Sequence, residues 1–359
     1  MPKHQVQFKE SSNWVYFVLT PVHFGFLIQF FIIMSLKKID FSRVLSDDQV
    51  YDHMMASYDK LGRDWIVHQW SWMNNTYAPF KDHYKYLIII SLVEKTLQFY
   101  DQMNISYSFD HFYTKANLQI DKFSITELCD KLSLPKETVR RKVLELENLQ
   151  VLRRQKKQII IDRSVFPQVK PERQILQTSK YIYLISEIFN KDKIYFKKLD
   201  VKFIENTIKK NFSLVWRWFY RMQIPLIIGY HEMFEDIATF HIWGTVTMNQ
   251  AFNYKKNIPD SNIHSLTPDY MTFNKGILDD EGPSIGVSAM SLSDMTNIPR
   301  ATVIRKCKFL MQKGYLKLND KKQYVMTGYN KDKIVPYQRK IFRDKAKFLR
   351  KVLNLLNIS

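Results

Sequence analysis

The fold is decided by a stretch that occurs twice in the chain. Its first copy, residues 126–154, is TELCDKLSLPKETVRRKVLELENLQVLRR, and its second copy, residues 290–318, is MSLSDMTNIPRATVIRKCKFLMQKGYLKL. The two copies align without gaps at an offset of 164 residues, and nine of the 29 aligned positions are identical. Because a pattern that recurs within one chain is stronger evidence than a single occurrence, we predict an internal duplication of a structural unit.

The spacing in each copy predicts two short helices joined by a tight turn. Ser124 is placed to cap the first helix, and Glu127, three residues later, is placed to complete a capping box. Pro135 bars helical continuation through the residue before it and suits the first turn of the next helix. The two helices are therefore expected on either side of residues 133–135.

The second helix of each copy has one apolar face. In the first copy this face contains Val139, Val143, Leu146 and Leu149, and in the second copy Val303, Cys307 and Leu310. Their spacing of three and four residues predicts burial, which leaves basic residues on the other side and at the N-terminal end. Because Cys307 aligns with Val143, a packing role is favoured over redox sensing for this thiol.

A β-hairpin is predicted after each second helix. The strands are expected at 151–154 and 158–161 in the first copy, and at 315–318 and 323–326 in the second. Gly314 is placed to end the second copy's helix as a left-handed cap. Gln150 stands at the equivalent position of the first copy, so that helix is expected to end less tightly.

At these residues the chain resembles the winged helix-turn-helix of bacterial transcription regulators such as the MarR, GntR and Crp groups. The matching pattern is a short helix, then P-x-x-T-V-x-R-K, then L-x-x-x-G-x-L and a basic hairpin. It covers under a quarter of the chain and indicates a superfamily rather than a single family. The resemblance implies a mainly α fold with small β-hairpin wings (α+β) and two winged-helix units. It also implies that each second helix enters the major groove, with the hairpin tip on the adjacent backbone or minor groove.

Charge in the two copies agrees with this interpretation. Segment 136–158 has eight basic residues against three glutamates, and segment 299–322 has eight against one aspartate. Arginine can bind guanine in bidentate fashion, threonine can reach a phosphate or a thymine methyl, and lysine suits phosphate oxygens. The predicted DNA-binding residues are Lys136, Thr138, Arg140 and Arg141 in the first recognition helix, Arg153, Arg154, Lys156 and Lys157 in the first wing, Arg300, Thr302, Ile304 and Arg305 in the second recognition helix, and Lys317, Lys321 and Lys322 in the second wing.

Composition narrows the class of protein further. The 359 residues include 54 Lys and Arg against 35 Asp and Glu, a formal charge of +19, which favours nucleic acid ahead of an acidic membrane as partner. Abundant Lys, Ile, Phe, Tyr and Asn show that compositional bias explains part of this excess. The two cysteines, Cys129 and Cys307, form no disulfide framework or zinc pattern, which suits a reducing cytosol. Without a glycine-rich phosphate loop, nucleophile elbow or metal-ligand cluster, no catalytic residue, cofactor or metal is predicted.

The N-terminal segment leaves three interpretations open. Residues 11–36 contain no Asp, Glu, Lys or Arg, and are long enough to cross a bilayer with Lys37 and Lys38 on the cytoplasmic side. Pro21 and His23 weaken that interpretation. A packed or partner-binding segment is preferred, and a third interpretation takes Met34 as the natural start, with residues 1–33 as translated upstream sequence.

The sequence therefore predicts five regions. They are an apolar segment at 1–36, a first helical and winged-helix module at 37–165, a linker at 166–178, a second module at 179–330, and a basic amphipathic helix at 331–359. The last of these could pack on the body, pair with a second subunit or lie on a membrane, and packing with phosphate contact is preferred.

The predicted function is sequence-specific binding of double-stranded DNA in transcription regulation, by a cytoplasmic protein that is not an enzyme. RNA polymerase or a second subunit are further candidate partners, and a membrane-anchored protein is the alternative location. A plasmid- or phage-type replication initiator is one alternative function, since that class also resembles tandem winged helices. A winged-helix protein-docking module is the other, and it would bind DNA only as a generic polycation.

Overall fold

The computed structural model of the protein describes residues 5–10, 13–18, 43–165, 170–256, 285–327 and 331–359. The chain forms two compact units, one from residues 1–44 and a larger one that spans Leu45–Asn357. In the smaller unit β1 (Gln5–Glu10) pairs antiparallel with β2 (Asn13–Val18). Strand β2 lies within the apolar run at 11–36, and the rest of that run from residue 19 lies outside the described residues. Among the helices of the described ranges, none has the length and apolar character needed to cross a membrane.

The larger unit is mainly helical and carries small antiparallel sheets. Its first half contains α1 (Asp47–Ala56), α2 (Tyr58–Tyr77), α3 (His83–Gln102), α4 (Phe109–Thr114), β3 (Asn117–Ile120), α5 (Ile125–Leu132), α6 (Lys136–Asn148), β4 (Leu152–Gln155) and β5 (Gln158–Asp162). The remainder contains α7 (Glu172–Lys191), α8 (Val201–Lys210), α9 (Phe212–Phe234), α10 (Ile237–Lys256), α11 (Ala289–Thr296), α12 (Arg300–Gln312), β6 (Leu316–Leu318), β7 (Tyr324–Met326) and α13 (Lys331–Ile358).

The duplicated stretch forms the same elements twice, which we call the first motif (α5, α6, β4 and β5) and the second motif (α11, α12, β6 and β7). Helix α5 begins after Ser124 and α11 after Ser288, and each serine hydroxyl accepts a hydrogen bond from a backbone amide three residues later. The reciprocal half of the predicted capping box does not form in the first motif. There the Glu127 carboxylate instead pairs with Lys95 of α3, so a tertiary contact replaces the local one.

The ends of the two motifs' helices explain how the chain turns. Ser133 and Asn297 take left-handed conformations, with φ of 49° and 56°, directly before the turn into the second helix. After the second helix Gly314 has a φ of 76°, as its position in the sequence predicts, and Gln150 adopts the same conformation with a φ of 59°. Both helices end with matching hydrogen bonds, so the end of α6 is not looser. The backbone of Gln150 therefore holds a conformation that favours glycine.

The two sheets differ in size. In the first motif β5 lies between β3 and β4, and the β4–β5 hairpin turns at Lys156 and Lys157. In the second motif β6 pairs with β7, and in the part of the chain that the structure describes an isolated antiparallel bridge from Val287 to Tyr324 takes the place of a third strand.

The duplication extends beyond the motifs themselves. Helices α1 and α8 are both ten residues long, α3 and α10 are both twenty residues long, and α1, α2 and α3 begin 154 residues before α8, α9 and α10 respectively. An aspartate precedes both of these last two equivalent helices, Asp82 before α3 and Asp236 before α10. The larger unit therefore contains two equivalent halves, α1 to β5 and α8 to β7.

Part of the segment that the sequence assigned to a linker is helical. Residues 172–178, which the sequence placed in a linker at 166–178, form the first two turns of α7, and Ile175 and Thr178 are buried there. Pro171 precedes the helix, where its fixed φ is tolerated, so the proline that indicated a linker begins a helix. Residues 166–169 lie outside the described residues. Helix α7 contacts both α2 and α8, so a packed helix connects the two halves.

Candidate nucleic-acid interface

In the first motif, α6 divides into a buried face and an exposed face. Val139, Val143 and Leu146 have no exposed surface, as the helical spacing predicts. Leu149 was expected on the same face but is 47% exposed, because it is the residue at which the helix ends. The exposed residues include Lys136, Arg140 and Arg141 of the predicted recognition face, while Thr138 is half-buried.

Two arginines of this face have only weak partners. Arg140 pairs with Glu137 one turn earlier at 2.7 Å, and Arg141 approaches Glu145 at 3.8 Å. Both side chains are more than half exposed, so each ion pair contributes little to stability and can be exchanged for a phosphate or base at little cost. The face is therefore basic and available to a polyanion.

The second motif places equivalent residues in the same way. Val303, Cys307 and Leu310 of α12 are fully buried. Burial raises the pKa of the Cys307 thiol to about 12, so this thiol stays protonated and acts as a packing group.

The outward face of α12 carries the other predicted recognition residues. Arg300 and Arg305 are exposed, while Thr302 and Ile304 are half-buried. Phe309 stands where the first motif has Glu145, so Arg305 lacks the weak carboxylate neighbour of Arg141.

The second helix of each motif is fixed by the same kind of ion pair to a long helix of its own half, α3 in the first half and α10 in the second. Lys142 of α6 contacts Asp82 at 2.7 Å, and Lys306 of α12 contacts Asp236 at 2.9 Å. The two aspartates also accept backbone hydrogen bonds at the start of α3 and α10, so each one caps a helix and anchors a lysine. Lys142 and Lys306 are thus occupied inside the protein, whereas the arginines that precede them face outward.

The electrostatics of these pairs follow from their partial burial. Burial alone would lower the pKa of Lys142, but hydrogen bonds and charge from Asp82 and Glu145 outweigh it and raise that pKa. Burial alone would raise the pKa of Asp236, but Lys306 and the Thr239 donors outweigh it and lower that pKa. Both residues are therefore held in their charged forms.

The first hairpin has exposed lysines at its tip, whereas its arginines form ion pairs within the protein. Lys156 and Lys157 are exposed at the turn. Arg154 donates two hydrogen bonds of 2.6 Å to the carboxylate of Glu147 in α6, so it braces the hairpin against the helix. Arg153 lies 3.6 Å from Asp162 on the neighbouring strand. Of the four predicted wing residues, only the two lysines point away from the protein without an ion pair in the described ranges.

The second hairpin has a longer tip. Asn319 accepts backbone hydrogen bonds from Lys321 and Gln323 at 3.1 and 2.9 Å, which shapes the loop between β6 and β7. Lys317, Lys321 and Lys322 are exposed, and Lys322 takes a left-handed conformation with a φ of 56°. Its three predicted residues therefore lie at the surface along one hairpin.

The aspartates that hold the second helices in place were not predicted from the sequence. A signal was present, since Asp82 and Asp236 each precede a long apolar helix and Lys142 and Lys306 are identical in the two copies. The separation of sixty or more residues in the chain hides such a pair, because only the packed helices bring the charges together.

No protein-family model, curated protein or solved structure matches this chain. The function is therefore argued from the residues and geometry of the two motifs.

Proposed function

We propose that the two motifs are winged-helix units that bind specific sequences in double-stranded DNA, and that the protein regulates transcription. Helices α6 and α12 are the recognition helices, and the β4–β5 and β6–β7 hairpins are the wings. One observation carries the proposal. Two copies that differ at most positions keep the same buried stripe, the same internal Lys–Asp pair, and the same outward Thr and Arg.

Two residues of the recognition face are identical in the two motifs, Thr138 with Thr302 and Arg141 with Arg305. A ligand that both motifs bind explains these identities best. Both arginines are exposed, and an exposed arginine needs no identical counterpart for folding. An arginine near the N-terminal end of a recognition helix can donate two hydrogen bonds to guanine, whereas threonine suits a phosphate or a thymine methyl.

The order of the elements in the first motif supports the same proposal. Strand β3 precedes α5 and joins the hairpin sheet in the order β3–β5–β4, while α3 packs against both α5 and α6. In the second motif α10 packs against both α11 and α12, and Val287 supplies the corresponding bridge. A winged helix consists of a leading helix, a first strand, a helix-turn-helix and a two-stranded wing. The first motif follows this order together with α3 and β3, and the second motif follows it together with α10 and the Val287 bridge in place of the first strand.

Binding of the full chain to a random duplex pool, before and after selection for tight binders, tests this function. We expect a preferred sequence, and a loss of about 1–3 kcal/mol on that sequence for each of Arg141→Ala and Arg305→Ala. Lys202→Ala, an exposed basic residue of α8 outside both motifs, is the matched control and should leave the preference unchanged.

A salt series separates this function from its competitors. Unselective binding that collapses with salt and ignores both arginines would reject sequence-specific recognition and favour a docking module with a generic positive charge. A preference for repeated origin sequences rather than promoters would keep the DNA-binding proposal and replace regulation by replication initiation.

A further inference from the structure

The two halves of the larger unit contact each other through equivalent helices in a reciprocal way. Helix α2 of the first half corresponds to α9 of the second, and α3 corresponds to α10. Helix α3 packs against α9, and α10 packs against α2. The contact made by the first half on the second is therefore repeated by the second half on the first.

Individual side chains show the same reciprocity. Arg63 in α2 and Arg217 in α9 are equivalent, since both occupy the sixth position of their helices. Arg63 lies over the ring of Phe252 in α10, 5.4 Å from its centroid, and Arg217 forms an ion pair with Asp101 in α3. Each arginine thus reaches the C-terminal part of a helix in the other half, α10 for Arg63 and α3 for Arg217.

The equivalent helices α3 and α10 also touch each other directly. His83 of α3 and His241 of α10 meet edge to face, with ring centroids 5.2 Å apart and both side chains buried. In a two-fold arrangement, an element that lies beside the axis contacts its own equivalent in this way.

Reciprocal contacts define the kind of symmetry that relates the halves. In a two-fold arrangement, a contact from one part to another is returned by the equivalent parts, whereas a head-to-tail arrangement joins two different surfaces and leaves one of each unpaired. The pairs α3 with α9 and α10 with α2, together with α3 beside α10, match the first case. The two halves are therefore related by an approximate two-fold axis that passes between α3 and α10.

We propose that one chain recognises two half-sites in inverted orientation, as an imperfect palindrome, through its two recognition helices. The inference rests on the DNA-binding function proposed above. The equivalent Lys–Asp pair fixes α6 to α3 and α12 to α10, so the axis that relates α3 to α10 also relates α6 to α12. Two helices related in this way meet duplex DNA in opposite directions, and the bases they contact belong to opposite strands.

The two half-sites share a common part and differ elsewhere. Thr138 and Arg141 have identical counterparts in Thr302 and Arg305, so the bases they contact are the same in both half-sites. Arg140 is replaced by Ile304, which exchanges a hydrogen-bond donor for an apolar group at the same position. The palindrome is therefore imperfect at the bases that this position contacts.

The orientation can be measured with four duplexes of equal length built from the selected sequence. One keeps both half-sites, the second reverses one half-site about its own centre, the third replaces that half-site by unrelated sequence, and the fourth is unrelated throughout. For the full chain we expect reversal to weaken binding by roughly tenfold or more, to the level of the third duplex, because each mismatched base pair is costly. The mass of the complex should correspond to one chain on the intact site.

Arg141→Ala and Arg305→Ala then assign the half-sites. Each variant should relax base preference in a different half, at positions that are complementary on opposite strands. Specific binding that survives reversal, or a selected sequence with half-sites in the same orientation, overturns the inverted arrangement while leaving the DNA-binding function intact. Absence of any difference between the first and fourth duplexes rejects the DNA-binding function itself.

Discussion

The first and second motifs have the same backbone plan and different surfaces. Both keep the buried stripe of the second helix, the Lys–Asp pair and the outward Thr and Arg. Within the described residues, a third strand and the Arg154–Glu147 brace accompany the first motif only, and the second motif has the longer hairpin loop, of five residues. Positions needed for packing and for the proposed DNA contact are shared, whereas the positions around them have diverged.

The largest expected effect comes from the matched core leucines, Leu146 and Leu310. Both are fully buried, so Leu146→Ala and Leu310→Ala should each lower the free energy of unfolding by about 2–5 kcal/mol. Because one cluster of buried side chains includes both motifs, both variants should shift the same single transition in chemical denaturation. Two separate transitions, each sensitive to one variant, would show that the motifs fold independently.

The capping aspartates should give the next largest effect and distinguish the motifs. Lys306 has Asp236 as its one carboxylate partner in the described ranges, whereas Lys142 also contacts Glu145. Asp236→Ala should therefore cost about 2–3 kcal/mol of stability, and Asp82→Ala about 1–2 kcal/mol. Thermal or urea unfolding measures both values, and an equal or reversed order would contradict the assigned partners.

Low pH should remove the stability that the Asp236–Lys306 pair contributes. The pKa of Asp236 is lower in the folded protein than in the unfolded chain. The stability that its carboxylate contributes is therefore complete above the unfolded pKa of about 3.9, and it is lost as pH falls from there through the folded pKa. The stability difference between the wild type and Asp236→Asn should therefore shrink when unfolding at pH 7 is compared with unfolding at pH 3.

The positions that end the recognition helices should produce a smaller effect of opposite sign. Gln150 holds a left-handed conformation that glycine adopts without strain, so Gln150→Gly should stabilise the protein by about 1 kcal/mol. Gly314→Gln should destabilise it by a similar amount, since this exchange reverses the first. A loss of stability in Gln150→Gly would indicate that the side chain makes a contact worth more than the backbone strain.

The hairpin lysines should give the smallest change, seen only in salt dependence. Lys156→Ala and Lys157→Ala should weaken binding to all duplexes alike and reduce the salt slope by about 1 each. Arg154→Ala should instead lower stability, because that side chain is bound to Glu147. A change in base preference on removing either lysine would assign the first hairpin a reading role.

The helices of the two motifs could be predicted from the sequence because their signals are local. A capping serine, a proline and an apolar stripe specify each helix pair without help from the rest of the fold. The exposure of Arg141 and Arg305 follows from the same helical spacing. The prediction that Leu149 is buried was wrong, because an apolar stripe does not indicate at which residue the helix ends.

The features that the sequence did not predict depend on distant contacts. The equivalence of α1–α3 with α8–α10 is hidden because core positions need only be apolar and of suitable size, so identity is lost while packing is kept. The brace between Arg154 and Glu147 requires the hairpin to fold back on α6. Strand β2 was also missed, because the continuous apolar run in which it lies lacks the alternation that indicates a strand.

Transfer of the second recognition face to the first motif tests the central claim most directly. The four substitutions are Lys136→Arg, Glu137→Ala, Arg140→Ile and Leu144→Lys, all at exposed positions of α6. The sequence selected by this variant should become a symmetric palindrome made of two copies of the second half-site, with one chain bound. A selected sequence identical to that of the wild type would contradict the claim that α6 and α12 are equivalent recognition helices.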